Sequence, residues 1–244
     1  MRTHKIFISI MLTAAVLFTT AAVSLPESGS PVLPTFCETL SETDIQAYET
    51  IRTAVMNCEK SVTIDMPLTT EFWQIFVELT DNQDPLCFNL KSVRPTRYGN
   101  SFTLDFTYNY NKSSYDKAIS AADTAADKII SGFSRGMSDT EKVAYIYTSI
   151  SSMARYNPNS DYADNFYGVF KMGESGQEGF AEAFSYVCNK AGIDCVIRRG
   201  TYPGGSVLII NRVTIRRKNY NICVPATGYF MVADEVFESI VDFG

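Results

Sequence analysis

The stretch that most restricts what this chain can become is "GESGQEGFAEAFSYVCNKAGIDCVIRRG", residues 173–200. A Gly-rich turn leads into Gln177 and Glu178, and Phe180, Ala183, Phe184 and Val187 then recur at helical spacing. Gly192 ends that helix, and "IDCVIRRG" reads as a strand. Two more strands follow, "SVLIINRVTIRR" and "NYNICVP", and "YFMVADEVFESI" closes as a strand and a short helix. A long amphipathic helix followed by antiparallel strands predicts an α+β fold, with a helical layer on an antiparallel sheet.

The first half carries a smaller pattern of its own. "LSETDIQAYETIRTAVMNC" is a helix capped at Ser41, with Ile45, Tyr48, Ile51 and Val55 on one face. "SVTIDMPL" reads as a strand, and "TTEFWQIFVELTDNQDP" as a helix stopped at Asp84-Pro85. Strands are expected around Cys87–Val93 and over "SFTLDFTYNY", with a hairpin turn at "RYGNS". Two helices follow, "SSYDKAISAADTAADKIISGFSRG" and "MSDTEKVAYIYTSISSMARY", the second capped by Ser138 and Glu141. The organisation is then a small α+β unit over 36–112 and a larger α+β domain over 113–244.

Residues 1–24 read as a signal peptide: Arg2 and Lys5, an apolar core from Ile6 to Phe18, then Ala22-Val23-Ser24. An uncleaved anchor is the alternative. Residues 25–35, rich in Ser and Pro, read as a linker. Export predicts a secreted or extracellular protein with no membrane span after cleavage. Loss of residues 1–24, which hold two basic residues and no acid, takes the formal charge from −6 to −8. An acidic chain is a poor partner for nucleic acid or an anionic membrane surface.

Histidine decides the chemistry. The chain has one, His4, inside the expected signal peptide. Ser-His, Cys-His and His-metal sites are therefore excluded from the remainder. The six cysteines, Cys37, Cys58, Cys87, Cys188, Cys195 and Cys223, show no CxxC spacing, and both disulfides and free buried thiols remain open. No metal or cofactor is called for. Ser–Lys pairs at Ser175/Lys171 or Ser206/Lys218, and the carboxylates Glu174 and Glu178, offer the residue types for hydrolysis without a spacing that positions them.

From Tyr115 to Phe237 the sequence resembles the secreted bacterial transglutaminase-like domains, of papain-like cysteine-protease fold. "SGQEGFAEAFSYVCNKAGIDC" is similar to their nucleophile-helix block, "LIINRV" to their His strand, "YNICVP" to their Asp strand and "YFMVADEVF" to their ending. The resemblance implies a Cys-His-Asp triad, and this chain departs from it at all three places. Gln177 stands where the nucleophile belongs, Leu208 where the histidine belongs and Cys223 where the acid belongs. Ile210 replaces a tryptophan, and Tyr147-Thr148 a frequent His-Asp. The expectation is a catalytically inactive relative that binds a peptide, cell-wall glycan or extracellular protein in a degenerate cleft. Gln177, Glu178, Asn211, Tyr167 and Tyr147 are the candidate ligand contacts. The alternatives are an interaction domain with a filled cleft and an enzyme with relocated chemistry.

Overall fold

A computed structural model describes residues 41–65, 84–225, 230–238 and 241. The expected signal peptide and linker, Cys37 and most of the helix expected after Thr69 lie outside the described residues.

Helix α1, Glu42–Met56, starts where Ser41 accepts a hydrogen bond from the Asp44 backbone N–H. Its buried face is Ala47, Tyr48, Ile51, Ala54 and Val55. It packs with β1 (Ser61–Asp65), β2 (Leu90–Tyr98) and β3 (Ser101–Tyr108), an antiparallel sheet of order β1-β3-β2. Phe102, Leu104 and Phe106 alternate inward along β3, as a half-buried strand requires. Gly99, at φ 61, takes the two-residue hairpin between β2 and β3 through a turn that favours positive φ.

The strand expected at Cys87–Val93 is displaced. Pro85–Cys87 form a 3₁₀ turn, and β2 instead runs through Pro95. Since β2 is an edge strand, the missing Pro95 N–H costs no ladder bond. Asp84 accepts from the Tyr48 hydroxyl at 2.7 Å, the Arg52 Nε at 2.5 Å and the Leu86 N–H, tying α1 to this turn. Burial opposes the charge on Arg52, but the Asp84 carboxylate outweighs it and holds the guanidinium protonated.

Two helices, α2 (Lys112–Ser131) and α3 (Asp139–Met153), precede the second sheet. Asn111 caps α2, and Ser138 and Glu141 form the expected reciprocal box on α3. Ala118, Ala122, Ala125 and Ala126 keep the inner face of α2 small. The chain then makes β4 (Arg155–Tyr156), a π turn at Gly168–Met172, and β5 (Glu174–Ser175), parallel to β4. Helix α4, Gln177–Lys190, leads into the antiparallel sheet β6 (Cys195–Thr201), β7 (Val207–Ile215), β8 (Lys218–Ile222) and β9 (Val232–Ala233). A short α5, Asp234–Phe237, ends the described elements.

The largest core lies between α2, α3, α4 and this sheet. Phe180, Ala183, Phe184 and Val187 of α4 are fully buried there with Val213, Ile215 and Ile222. Each large apolar side chain so buried contributes about 1.5–3 kcal/mol relative to exposure. Phe88 joins the same core, stacked on Tyr115 at 5.4 Å between ring centroids and packed on Phe166 at 4.6 Å. The molecule is thus a mixture of helices and antiparallel sheets, as the alternation of patterns predicts. No helix among the described residues is long and apolar enough to cross a membrane.

Candidate functional site

The start of α4 is built by close backbone packing. Gly176 N–H and Gly179 N–H both donate to the Ala163 carbonyl, at 3.0 and 3.1 Å. A Cβ on Gly179 would collide with the Asn165 carbonyl and the Ser175 hydroxyl, so the glycine of "QEGF" is demanded by the loop lying across the helix. Ser175 is fully buried, and its hydroxyl donates to the Tyr162 carbonyl at 3.0 Å. It is a loop fastener and is closed to substrate. Glu174 is held by Arg155 at 2.9 Å and Asn157 at 3.1 Å, and these bonds, Asn157 first, lower its carboxyl below the usual range.

Gln177, half-buried, opens the helix, and its Nε2 donates to the Cys223 thiol at 3.3 Å. Cys223 is fully buried and its Sγ lies 3.7 Å from the Ile209 carbonyl. Leu208 is buried beside it in a small cluster with Ile210, Phe237 and Val241. The three positions marked by sequence therefore come together: Gln177 touches Cys223, and Cys223 shares a core with Leu208. The chemistry there is an amide, a buried thiol and a hydrocarbon. Neither the amide nor the hydrocarbon is a general base.

Strand alternation divides β7 between two surroundings. Val213 and Ile215 join the core under α4, while Leu208 and Ile210 join the cluster closed by Phe237 and Val241. Asn211, expected to line a cleft, is fully buried. Its Nδ2 donates to the Ala181 carbonyl at 2.8 Å and approaches the Cys195 sulfur, which ties β7 to α4 from within. Tyr147 packs its ring on Phe230 at 4.8 Å. Tyr167 packs on Tyr162 at 5.7 Å and lines a groove along α2 in which Gln177 takes no part.

Glu178, expected among the ligand contacts, is engaged within the fold: Arg199 of β6 forms a close ion pair with it. Other basic residues of this sheet are also neutralised within the fold. Arg198 meets Glu238 at 3.2 Å and Asp234 at 3.8 Å, and Arg212 meets Asp234 at 4.0 Å.

Glu182 was not legible as special. It is fully buried one turn beyond Glu178, accepts from the Phe166 N–H at 3.0 Å through Oε2, and its Oε1 has no partner among the described residues. Burial first, then the Glu178 charge, pushes its carboxyl well above the ordinary range. A carboxyl in an otherwise apolar helix face is the one sequence signal that could have flagged it. Cys188 and Cys195 both lie in the main core, where burial first, and then the neighbouring Cys195, raises the Cys188 thiol. All five described cysteines are free. Among the described residues no three His, Cys, Asp or Glu side chains gather as a metal site.

No family model matches the sequence, and no curated protein matches it either. Solved structures do. A crystal structure of a TGase is similar over 73% of this chain, at 11% identity and TM-score 0.42. A proposed cysteine protease from Cytophaga hutchinsonii is similar over 63%, at 10% identity and TM-score 0.39. A proposed protease from Parabacteroides distasonis is similar over 55%, at 12% identity and TM-score 0.32. The chain spans about half the length of the first of these (55%), 65% of the second and 36% of the third.

Proposed function

We propose that this chain is an exported, non-enzymatic binding protein, built on a transglutaminase-like core whose triad positions no longer hold reactive groups. The observation that carries the reading is the Gln177–Cys223 contact, 3.3 Å long, with Leu208 packed into the same buried cluster. A helix start and two strands meet where a nucleophile, base and acid would need to meet. The Gln177 amide and the Leu208 side chain offer no group to take up a proton from a thiol or to orient a base. With catalysis gone, an extracellular role rests on recognition of a peptide, a glycan or another protein.

Purified protein assayed for transfer of a fluorescent primary amine onto casein, and for thiol-dependent peptidase activity, is expected to show no turnover above buffer. Turnover that Cys223→Ala abolishes would overturn the proposal. A second reading, an interaction domain whose old cleft is filled, is favoured by the complete burial of Cys223 and Asn211. A glycan and peptide binding screen separates the two. Loss of a ligand in Gln177→Ala supports binding at the start of α4, and binding indifferent to Gln177 supports the filled cleft.

A further inference from the structure

A groove of about 950 Å³ runs along the exposed side of α2, closed on its other wall by the π turn at Gly168–Met172 and by Met153. π turns are rare and gather at functional sites, and this one delivers Phe170 and Lys171 to the groove, with Tyr167 just before it. Four lysines stand on its walls: Lys112, Lys117, Lys128 and Lys171. Lys112 is bridged to Asp116. Lys117, Lys128 and Lys171 are exposed and make no ion pair among the described residues. Two acids of α2 that might have neutralised them, Asp123 and Asp127, are engaged by Lys190 of α4 instead. In a chain of formal charge −6, the groove is a place where the local field opposes the net charge.

Aromatic surface accompanies the charge. Lys117 and Tyr167 also line a second cavity of about 200 Å³ with Tyr110 and Tyr162. From Lys112 to Lys128 the helix is about 24 Å long, enough for several sugar rings laid end to end. Ser113, Ser120 and Thr124 add hydroxyls along the same wall. Among the described residues no β-strand contributes to the groove lining, so an extended peptide would find no backbone edge there on which to add a strand. Spaced ammonium groups, phenol rings and hydroxyls match a carboxylated sugar chain better than a peptide.

We propose that this groove binds an acidic polysaccharide, with uronate carboxylates on Lys117, Lys128 and Lys171 and sugar rings against Tyr167. The proposal rests on the reading of the chain as a binding protein and places that binding away from Gln177. Calorimetric titration of the full purified protein with oligogalacturonate, a neutral cello-oligosaccharide of equal length and poly-L-glutamate tests it. Oligogalacturonate is expected to bind at least about tenfold tighter than the neutral sugar. That affinity should weaken as salt rises, and Lys117→Glu with Lys171→Glu should lower it about tenfold or more. Tyr167→Ala should weaken binding of both sugars. Equal affinity for acidic and neutral sugars, or an unchanged affinity after charge reversal, overturns the proposal. So does tighter binding of poly-L-glutamate, which would make the ligand an acidic peptide. A ligand lost on Gln177→Ala but kept in the lysine variants overturns the groove while sparing the broader binding reading. The salt dependence is read on the unmodified protein and needs no variant to fold.

Discussion

The start of α4 and the groove along α2 are opposites in the same molecule. At the first, a helix terminus and two strands converge as they would around a reacting centre, yet Leu208, Ile210, Cys223 and Phe237 fill the space with buried side chains. At the second, lysines are left exposed and Tyr167 and Phe170 half-exposed around open volume. Buried apolar contacts are what hold a fold together, whereas unpaired exposed cations contribute almost nothing to it. Packed apolar side chains thus serve the fold near the start of α4, while Lys117, Lys128 and Lys171 along the groove make no ion pair among the described residues.

The comparison breaks most easily at Leu208. Leu208→Ala removes the centre of the small cluster and is expected to cost about 2–5 kcal/mol of stability by urea denaturation. A loss below about 1 kcal/mol would mean that the cluster is loosely packed and the cleft is open.

Glu182 sharpens the same contrast through pH. Its folded carboxyl is raised above the unfolded value of about 4.3, so the folded state holds its proton more tightly. Its contribution to stability is therefore full below that unfolded value and is lost as pH rises through the folded one. Glu182→Gln keeps an acceptor for the Phe166 N–H and cannot ionise. Its melting temperature should match the parent near pH 4 and exceed it by a few degrees at pH 8. A gap that does not change with pH would refute burial of an acid there.

The smallest effect is expected at the groove. Lys117→Glu and Lys171→Glu should leave the unfolding free energy within about 0.5 kcal/mol of the parent, even while together they lower polyanion affinity about tenfold or more. A large loss of stability would show that these lysines serve the fold.

Much of the architecture was legible because it is local. Ser41 and the Ser138/Glu141 pair mark helix starts, Gly192 a helix end, and the 180/183/184/187 pattern a buried face, each within a few residues of its partner. The shift of β2 to Leu90–Tyr98 was not, because Pro95 reads as a breaker until the strand is known to be an edge. Arg199 on Glu178, Arg198 on Glu238 and the Asn211 bond to Ala181 join residues twenty or more positions apart, which periodicity cannot pair. Tyr167 was expected among ligand contacts, and the groove it lines needed Lys117 and Lys128 from a separate helix.

The sequence by itself determined which side chains are available: one histidine, at His4, and an amide, a hydrocarbon and a thiol at Gln177, Leu208 and Cys223. Composition is a property of the chain and survives any folding. Only the tertiary structure decided that those positions meet, that Cys223 and Asn211 are closed to solvent, and that Lys117, Lys128 and Lys171 share a groove with Tyr167. Burial and proximity depend on long-range packing, so they exist only once the helices lie against their sheet.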